Sequence, residues 1–137
     1  MRVILDTNIL VTALITRGTP PDRLYEAWRD GRFTLVTSEL QVEEFSRVTR
    51  RQGVRFRIHP AAAGRMVNDL RRLATVIDNL PAVEVSPDPY DNFLLAMAEV
   101  AQANILVTGD KRGVLALVQH HGTRILTARA ALDLLGG

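Results

Sequence analysis

The sequence predicts an α/β fold: a mainly parallel sheet with helices on both sides. Short apolar runs at Val3-Ile4-Leu5, Phe33 to Val36, Ile105-Leu106-Val107 and Arg124-Ile125-Leu126 alternate with amphipathic stretches of helical period. These runs are too apolar to keep a solvent-facing side, as expected of strands covered on both faces. With 137 residues, 47% of them hydrophobic, the chain has the size of one domain, spanning 1–137, and can bury a real core.

Val3 to Leu5 reads as a buried strand, followed by a helix from about Asn8 to Ile15. A turn at Arg17 to Thr19 leads into a second helix, with Pro20-Pro21 at its start and Gly31 just past its end. Phe33 to Val36 is the next strand. Ser38 begins a helix, because Ser38-Glu39-Leu40-Gln41 matches a capping box. Pro60 opens a long helix to about Thr75, and Val83 to Pro89 is a Pro-interrupted connection with room for a very short strand. Asp91 to Ala103, rich in Leu, Ala and Met, reads as helix. Ile105 to Val107 is a strand, Arg112 to Gln119 a short helix, Arg124 to Leu126 a strand, and Ala128 to Leu135 a final helix. No repeat or linker interrupts this order.

The chain has no cysteine, which excludes a disulfide framework and a thiolate metal site. Asp6 and Asn8 interrupt the apolar start too early for a signal-peptide core, and no later run could span a bilayer, so a soluble cytoplasmic protein is expected. The net charge is +2, but its distribution is uneven. From Phe45 to Asn68 there is no acid, while Arg47, Arg50, Arg51, Arg55, Arg57 and Arg65 fall in that window. A phosphate-binding face and a solvated surface both fit, in a chain whose only lysine is Lys111.

Four acids dominate the chemistry: Asp6 in Leu5-Asp6-Thr7-Asn8, Glu44, Asp91 in Asp88-Pro89-Tyr90-Asp91-Asn92, and Asp110 in Thr108-Gly109-Asp110. Carboxylates converging on one point repel unless cations sit between them, and all-oxygen ligation suits Mg²⁺ or Mn²⁺. Ligands of parallel sheets bind beyond the carboxyl ends of the strands. Asp6 directly follows the first strand and Asp110 lies three residues past Val107, so both are expected on that edge.

Helical geometry separates Glu44 from its neighbour Glu43. At about 100° per residue, Leu40, Val42, Phe45 and Val48 define an apolar direction, with Glu44 roughly 70° away and Glu43 nearly opposite. Glu44 therefore borders the core and needs a compensating partner: a cation, or an ion pair with Arg47 or Arg51. Capping at a helix start explains Asp88, and competes as an explanation for Asp91 and Asp110. His59, His120 and His121 show no metal-ligand spacing beside a carboxylate and read as loop or surface residues. Tyr25, Trp28 and Phe33 read as core or interface.

In this order, Val3-Ile-Leu-Asp6-Thr7-Asn8, the Ser38 to Val48 helix with Glu44, Asp88-Pro-Tyr-Asp91-Asn92-Phe-Leu-Leu-Ala and Leu106-Val-Thr108-Gly-Asp110 resemble the PIN-domain nucleases. The resemblance covers essentially the whole chain and is closest to the VapC-like toxins of bacterial type II toxin-antitoxin modules. It implies a PIN-like three-layer α/β/α sandwich with a central mainly parallel sheet. It also implies endoribonuclease activity with Mg²⁺ or Mn²⁺. Asp6, Glu44, Asp91 and Asp110 occupy the family's acidic positions, Asn8 and Thr108 its supporting polar positions, and Ser38 joins them. Tyr90 stands where many members have another acid. A small cognate antitoxin that blocks the site and a homodimer built from helices are further implied.

The chemistry expected of such a site follows from charge. Cations reverse the repulsion between carboxylates and phosphodiester, and water activated by coordination displaces the 3′ oxygen in line. The resemblance implies 5′-phosphate and 3′-hydroxyl ends. Asp6 and Asp110 would be the principal ligands, Asp91 a ligand to the same or a second ion, and Glu44 a ligand or a base orienting water. Arg17, Arg47, Arg50 and Arg51 are the candidates to hold the backbone of single-stranded or loop RNA. The main alternative is a non-catalytic PIN-like RNA-binding or scaffold protein, which would normally have lost one of the acids. A haloacid-dehalogenase-type phosphatase would need an acid where Asn8 stands. A receiver domain would need an adjacent acid pair early in the chain, and none occurs.

Overall fold

A computed structural model describes residues 1–51, 57–85, 89–109 and 117–136. Six strands form one sheet: β1 (Arg2–Leu5), β2 (Thr34–Ser38), β3 (Thr75–Ile77), β4 (Ile105–Val107), β5 (Gln119–His120) and β6 (Thr123–Leu126). Among the described residues six helices accompany them: α1 (Thr7–Ile15), α2 (Pro20–Arg29), α3 (Glu39–Thr49), α4 (Pro60–Arg72), α5 (Pro89–Ala101) and α6 (Ala128–Leu134). The strand order is β3-β2-β1-β4-β6-β5. Every pairing is parallel except that of β5 with β6.

Alternation along the strands sends side chains to opposite faces. Val3, Leu5, Leu35, Ile105 and Val107 pack among residues of α1, α2, α3, α4 and α6. Ile4, Val36, Leu106 and Ile125 face the other way and meet Leu94, Leu95, Met97 and Ala98 of α5. The expected three layers are present: five helices cover one face, and among the described residues α5 is the one helix over the other. Tyr25, Trp28 and Phe33 are all buried, as their apolar bulk requires.

Several elements depart from expectation. The connection from Val83 to Pro89 with room for a short strand lies partly outside the described residues, while helix α4 ends at Arg72 and the chain then forms β3 at Thr75–Ile77, an unexpected sheet-edge strand. Its residues are exposed or half-buried, so it lacked an apolar signature. The helix expected over Arg112 to Gln119 falls largely outside the described residues, but Gln119 belongs to β5. Helix α5 is shifted two residues earlier than expected, starting at Pro89, which suits a first helical turn with no N–H to satisfy.

Helices α2 and α4 are joined by a polar contact beneath the core. The Tyr25 hydroxyl donates to Asp69 Oδ2 at 2.9 Å, and Arg29 lies over the Tyr25 ring and 3.8 Å from the same carboxylate. Burial, then the hydrogen bond and negative charge of Asp69, pushes the Tyr25 phenol up to about 12. The unfolded chain loses this proton near the ordinary value of 10 while the folded chain keeps it to about 12, so stability should fall as pH rises across that window. A Tyr25→Phe variant followed by urea unfolding should lose about 1 kcal/mol at neutral pH and show no such alkaline decline.

Candidate functional site

The strand order reverses direction between β1 and β4: the chain proceeds outward from β1 through β2 to β3 on one side, and from β4 to β6 on the other. That is a topological switch point, where adjoining connections leave in opposite directions and open a crevice beyond the strand ends. Asp6 follows β1, Thr108 follows β4, and the Thr108 hydroxyl donates to Asp6 Oδ2 at 2.9 Å across this point. The Asp6 amide also donates to the Val107 carbonyl. Both residues are buried, Asp6 to 3% exposure.

Asp6 is also the N-cap of α1, its Oδ1 accepting from the Asn8 amide at 3.1 Å. One carboxylate is thus fixed through both oxygens, one by the helix it starts and one by the neighbouring strand. Asn8 takes part through its backbone, while its side chain is exposed. Thr7, not singled out in the sequence, is buried beside them.

Asp91 reaches the same edge by helix direction. Thirteen residues of α5, roughly 20 Å of helix, precede a short link into the amino end of β4. The Arg2 guanidinium at the start of β1 holds the Ala101 and Gln102 carbonyls at that amino edge. The N-terminal turn of α5 therefore lies toward the carboxyl edge, with Asp91 in it at 3% exposure. An acid there complements the positive end of the helix dipole. Ser38 ends β2 on the same edge, accepts from the Gln41 amide as the cap of α3, and lies 3.6 Å from the sulfur of Met97 on α5.

Glu44 flanks this arrangement. Its side chain is 23% exposed whereas Glu43 is exposed on the solvent side, as the helical-face reasoning expects. Leu40, however, is 56% exposed instead of buried. With Glu44 and Arg47 it forms one stripe of α3, spaced at i, i+4 and i+7, that lines a cleft of about 270 Å³ together with Phe93 of α5. The cleft brings Glu44 within the neighbourhood of the first turns of α5. The ion-pair partner expected for Glu44 is present: Arg47 lies 2.5 Å away. Such a half-exposed pair contributes at most about 1 kcal/mol.

Asp110 lies outside the described residues, as does Asp88. Asp6, Glu44 and Asp91 do not form a group of ligand atoms within 4.8 Å of one another; among the described residues the group that does is Glu99, His120 and His121. That finding corrects the sequence-based view of His120, which is buried with its Nε2 2.8 Å from Glu99 Oε2, while His121 is exposed in a turn as expected. The 21 residues separating Glu99 from His120 hid the relation. His59 instead caps α4, its Nδ1 accepting from the Ala61 amide.

The arginines are dispersed. Arg17 follows the far end of α1, roughly 13 Å of helix from Asp6, and lines a separate cavity with Asp22 and Arg65. Arg50 and Arg51 close α3, with Arg50 Nε donating to the Ser46 carbonyl.

The PIN-domain family model matches residues 2–112, four-fifths of the chain and all the elements from β1 to β4. The chain belongs to the PIN-domain family. PIN domains are generally nucleases that act on RNA with a divalent metal, so a hydrolase is the coarse assignment. No curated protein matches the sequence. No helix among the described residues is long and apolar enough to cross a membrane.

One residue of this PIN domain that sequence reasoning misassigned is Gln41. As part of a capping box its side chain would reach back to Ser38; instead Nε2 donates to the Leu5 carbonyl at 2.6 Å, and Oε1 accepts from the Thr37 hydroxyl at 2.7 Å. It ties α3 to the strand residue immediately before Asp6. Its burial would have been visible only from the exposure of Leu40, which rotates the inward face of α3 toward it. Gln41→Leu should cost about 2 kcal/mol in urea unfolding, because it strands a buried carbonyl and a buried hydroxyl. Glu43→Gln on the opposite face of α3 should stay within about 0.5 kcal/mol of the parent.

Proposed function

We propose that the protein is a metal-dependent endoribonuclease of the VapC-like toxin type, with residues 1–137 forming a single PIN domain. The observation that carries this reading is the Thr108-to-Asp6 hydrogen bond across the switch point, which fixes a buried carboxylate where a parallel sheet receives its ligand. Asp91, buried at the start of α5, supplies a second carboxylate toward the same edge.

The donor set fits Mg²⁺ or Mn²⁺. Asp6 and Asp91 offer hard oxygen atoms in a buried setting where an unneutralised charge is costly. Asp110 and Glu44 complete the proposed set, with Asn8, Ser38 and Thr108 as supports. A bound divalent ion would offset the carboxylate charge against the phosphodiester and activate the attacking water. Asp6, held through both oxygens, keeps its position without paying for side-chain ordering when RNA arrives. Glu44, on the wall of the cleft, is placed to orient water or to exchange its Arg47 partner for the ion. Arg47, once released, would face the RNA backbone, and Arg50, Arg51 and Arg17 would extend the contact along the surface.

A cognate antitoxin is the proposed partner. The exposed Leu40 and the neighbouring groove lined by Leu80, Pro81, Val83 and Phe93 support a protein partner beside the site. The homodimer rests on the resemblance alone, and the cytoplasmic setting on the early interruption of the apolar start by Asp6 and Asn8.

Purified protein, freed of any copurifying partner, should cleave mixed RNA with Mg²⁺ or Mn²⁺ and stop on addition of EDTA. Asp6→Asn, which preserves the N-cap, should lower the rate at least about a hundredfold while leaving the unfolding midpoint nearly unchanged. Full activity in Asp6→Asn would overturn the site assignment. RNA binding without cleavage under every metal would instead favour the non-catalytic PIN-like reading.

A further inference from the structure

Glu99, His120 and His121 offer one ligand atom each, all within 4.8 Å of one another. They belong to the opposite end of the sheet from Asp6 and Thr108. Glu99 is in the last turn of α5, at the amino edge that Arg2 fixes. His120 ends β5 and His121 begins the turn into β6. Thr123, paired with His120, donates its hydroxyl to the Ala103 carbonyl at 2.7 Å and so fastens the hairpin to the link after α5.

The turn itself presents His121. Its two central residues have φ of +47° at His121 and +84° at Gly122, the signs of a type I′ hairpin turn. Asparagine is the usual residue at the first of these positions, since its short polar side chain tolerates the left-handed region. Histidine stands there instead, and its ring meets that of His120 edge-on with centroids 4.4 Å apart. His120 is buried and meets the Glu99 carboxylate, whereas His121 is exposed.

We propose that Glu99, His120 and His121 form a second metal site, specific for a borderline transition ion with Zn²⁺ as its occupant, separate from the carboxylate site at the switch point. Two imidazoles and one carboxylate are ligands for Zn²⁺ rather than for Mg²⁺ or Mn²⁺, which prefer oxygen. The 2.8 Å between His120 Nε2 and Glu99 Oε2 is shorter than the roughly 3.3–3.6 Å edge of a tetrahedron with bonds of about 2.0–2.2 Å, so the pair parts by about half an ångström to admit the ion. The ion takes the place of that hydrogen bond, whose proton passes to solvent, and His121 closes onto it from the solvent side. Bound there, it clamps the end of α5 to the β5–β6 hairpin and stabilises the folded chain alone.

Calorimetric titration of the EDTA-stripped full chain with Zn²⁺, with thermal unfolding in parallel, tests this. One ion per chain and a raised midpoint are expected, persisting in Asp6→Asn. His121→Asn, which suits the turn, and Glu99→Gln should each lower Zn²⁺ affinity at least about tenfold while the metal-free midpoint of His121→Asn stays within a few degrees of the parent. Absence of Zn²⁺ binding, binding unaffected by His121→Asn, or binding abolished by Asp6→Asn would overturn the proposal. The last result would place the ion among the carboxylates, and none of these outcomes depends on RNA cleavage.

Discussion

The parallel pairing of β1 with β4 is the constraint on which the rest of the molecule depends. It places Leu5 beside Val107, so the two chains leave the sheet side by side and Asp6 comes within reach of the Thr108 hydroxyl. Had β1 slipped by one residue against β4, Asp6 would point to the other face and the hydrogen bond would vanish. The pairing is held by burial on both faces: Val3, Leu5, Ile105 and Val107 toward five helices, Ile4 and Leu106 toward α5. Each such side chain contributes on the order of 1.5–3 kcal/mol when fully buried. The position of one carboxylate is therefore secured by apolar packing well away from it.

A second fastening comes from α3. Gln41 binds the Leu5 carbonyl while Ser38, three residues earlier, caps the same helix and touches Met97. One short segment thus joins the carboxyl ends of β1 and β2 to the body of α5. The helix is consequently oriented with Leu40, Glu44 and Arg47 toward the cleft instead of toward the core.

Much of this was legible in the chain because local pattern and tertiary burial agree. The runs Val3-Ile4-Leu5 and Ile105-Leu106-Val107 can only be doubly covered strands, and an acid placed directly after such a strand must emerge at its carboxyl end. What was hidden depends on contacts distant in sequence. Strand β3 is an exposed edge whose pairing comes from β2 and not from its own composition. Strand β5 has two residues and exists only against β6. Gln41 looked like a capping side chain because the nearest partner in sequence is Ser38, whereas the partner it takes is 36 residues away. Glu99 and His120 meet only because α5, β4 and the following hairpin fold back on one edge.

The unequal covering of the sheet has a further consequence. One face is shared among five helices, so the loss of any one of them leaves the others in place. The other face relies on α5 alone among the described residues, and Ile4, Val36, Leu106 and Ile125 would all meet water together if that helix lifted away. That face thus depends on a single rod that carries Asp91 near one end and Glu99 near the other. Local opening of that rod would disassemble both ends at once, tying the geometry of each to the same packing event.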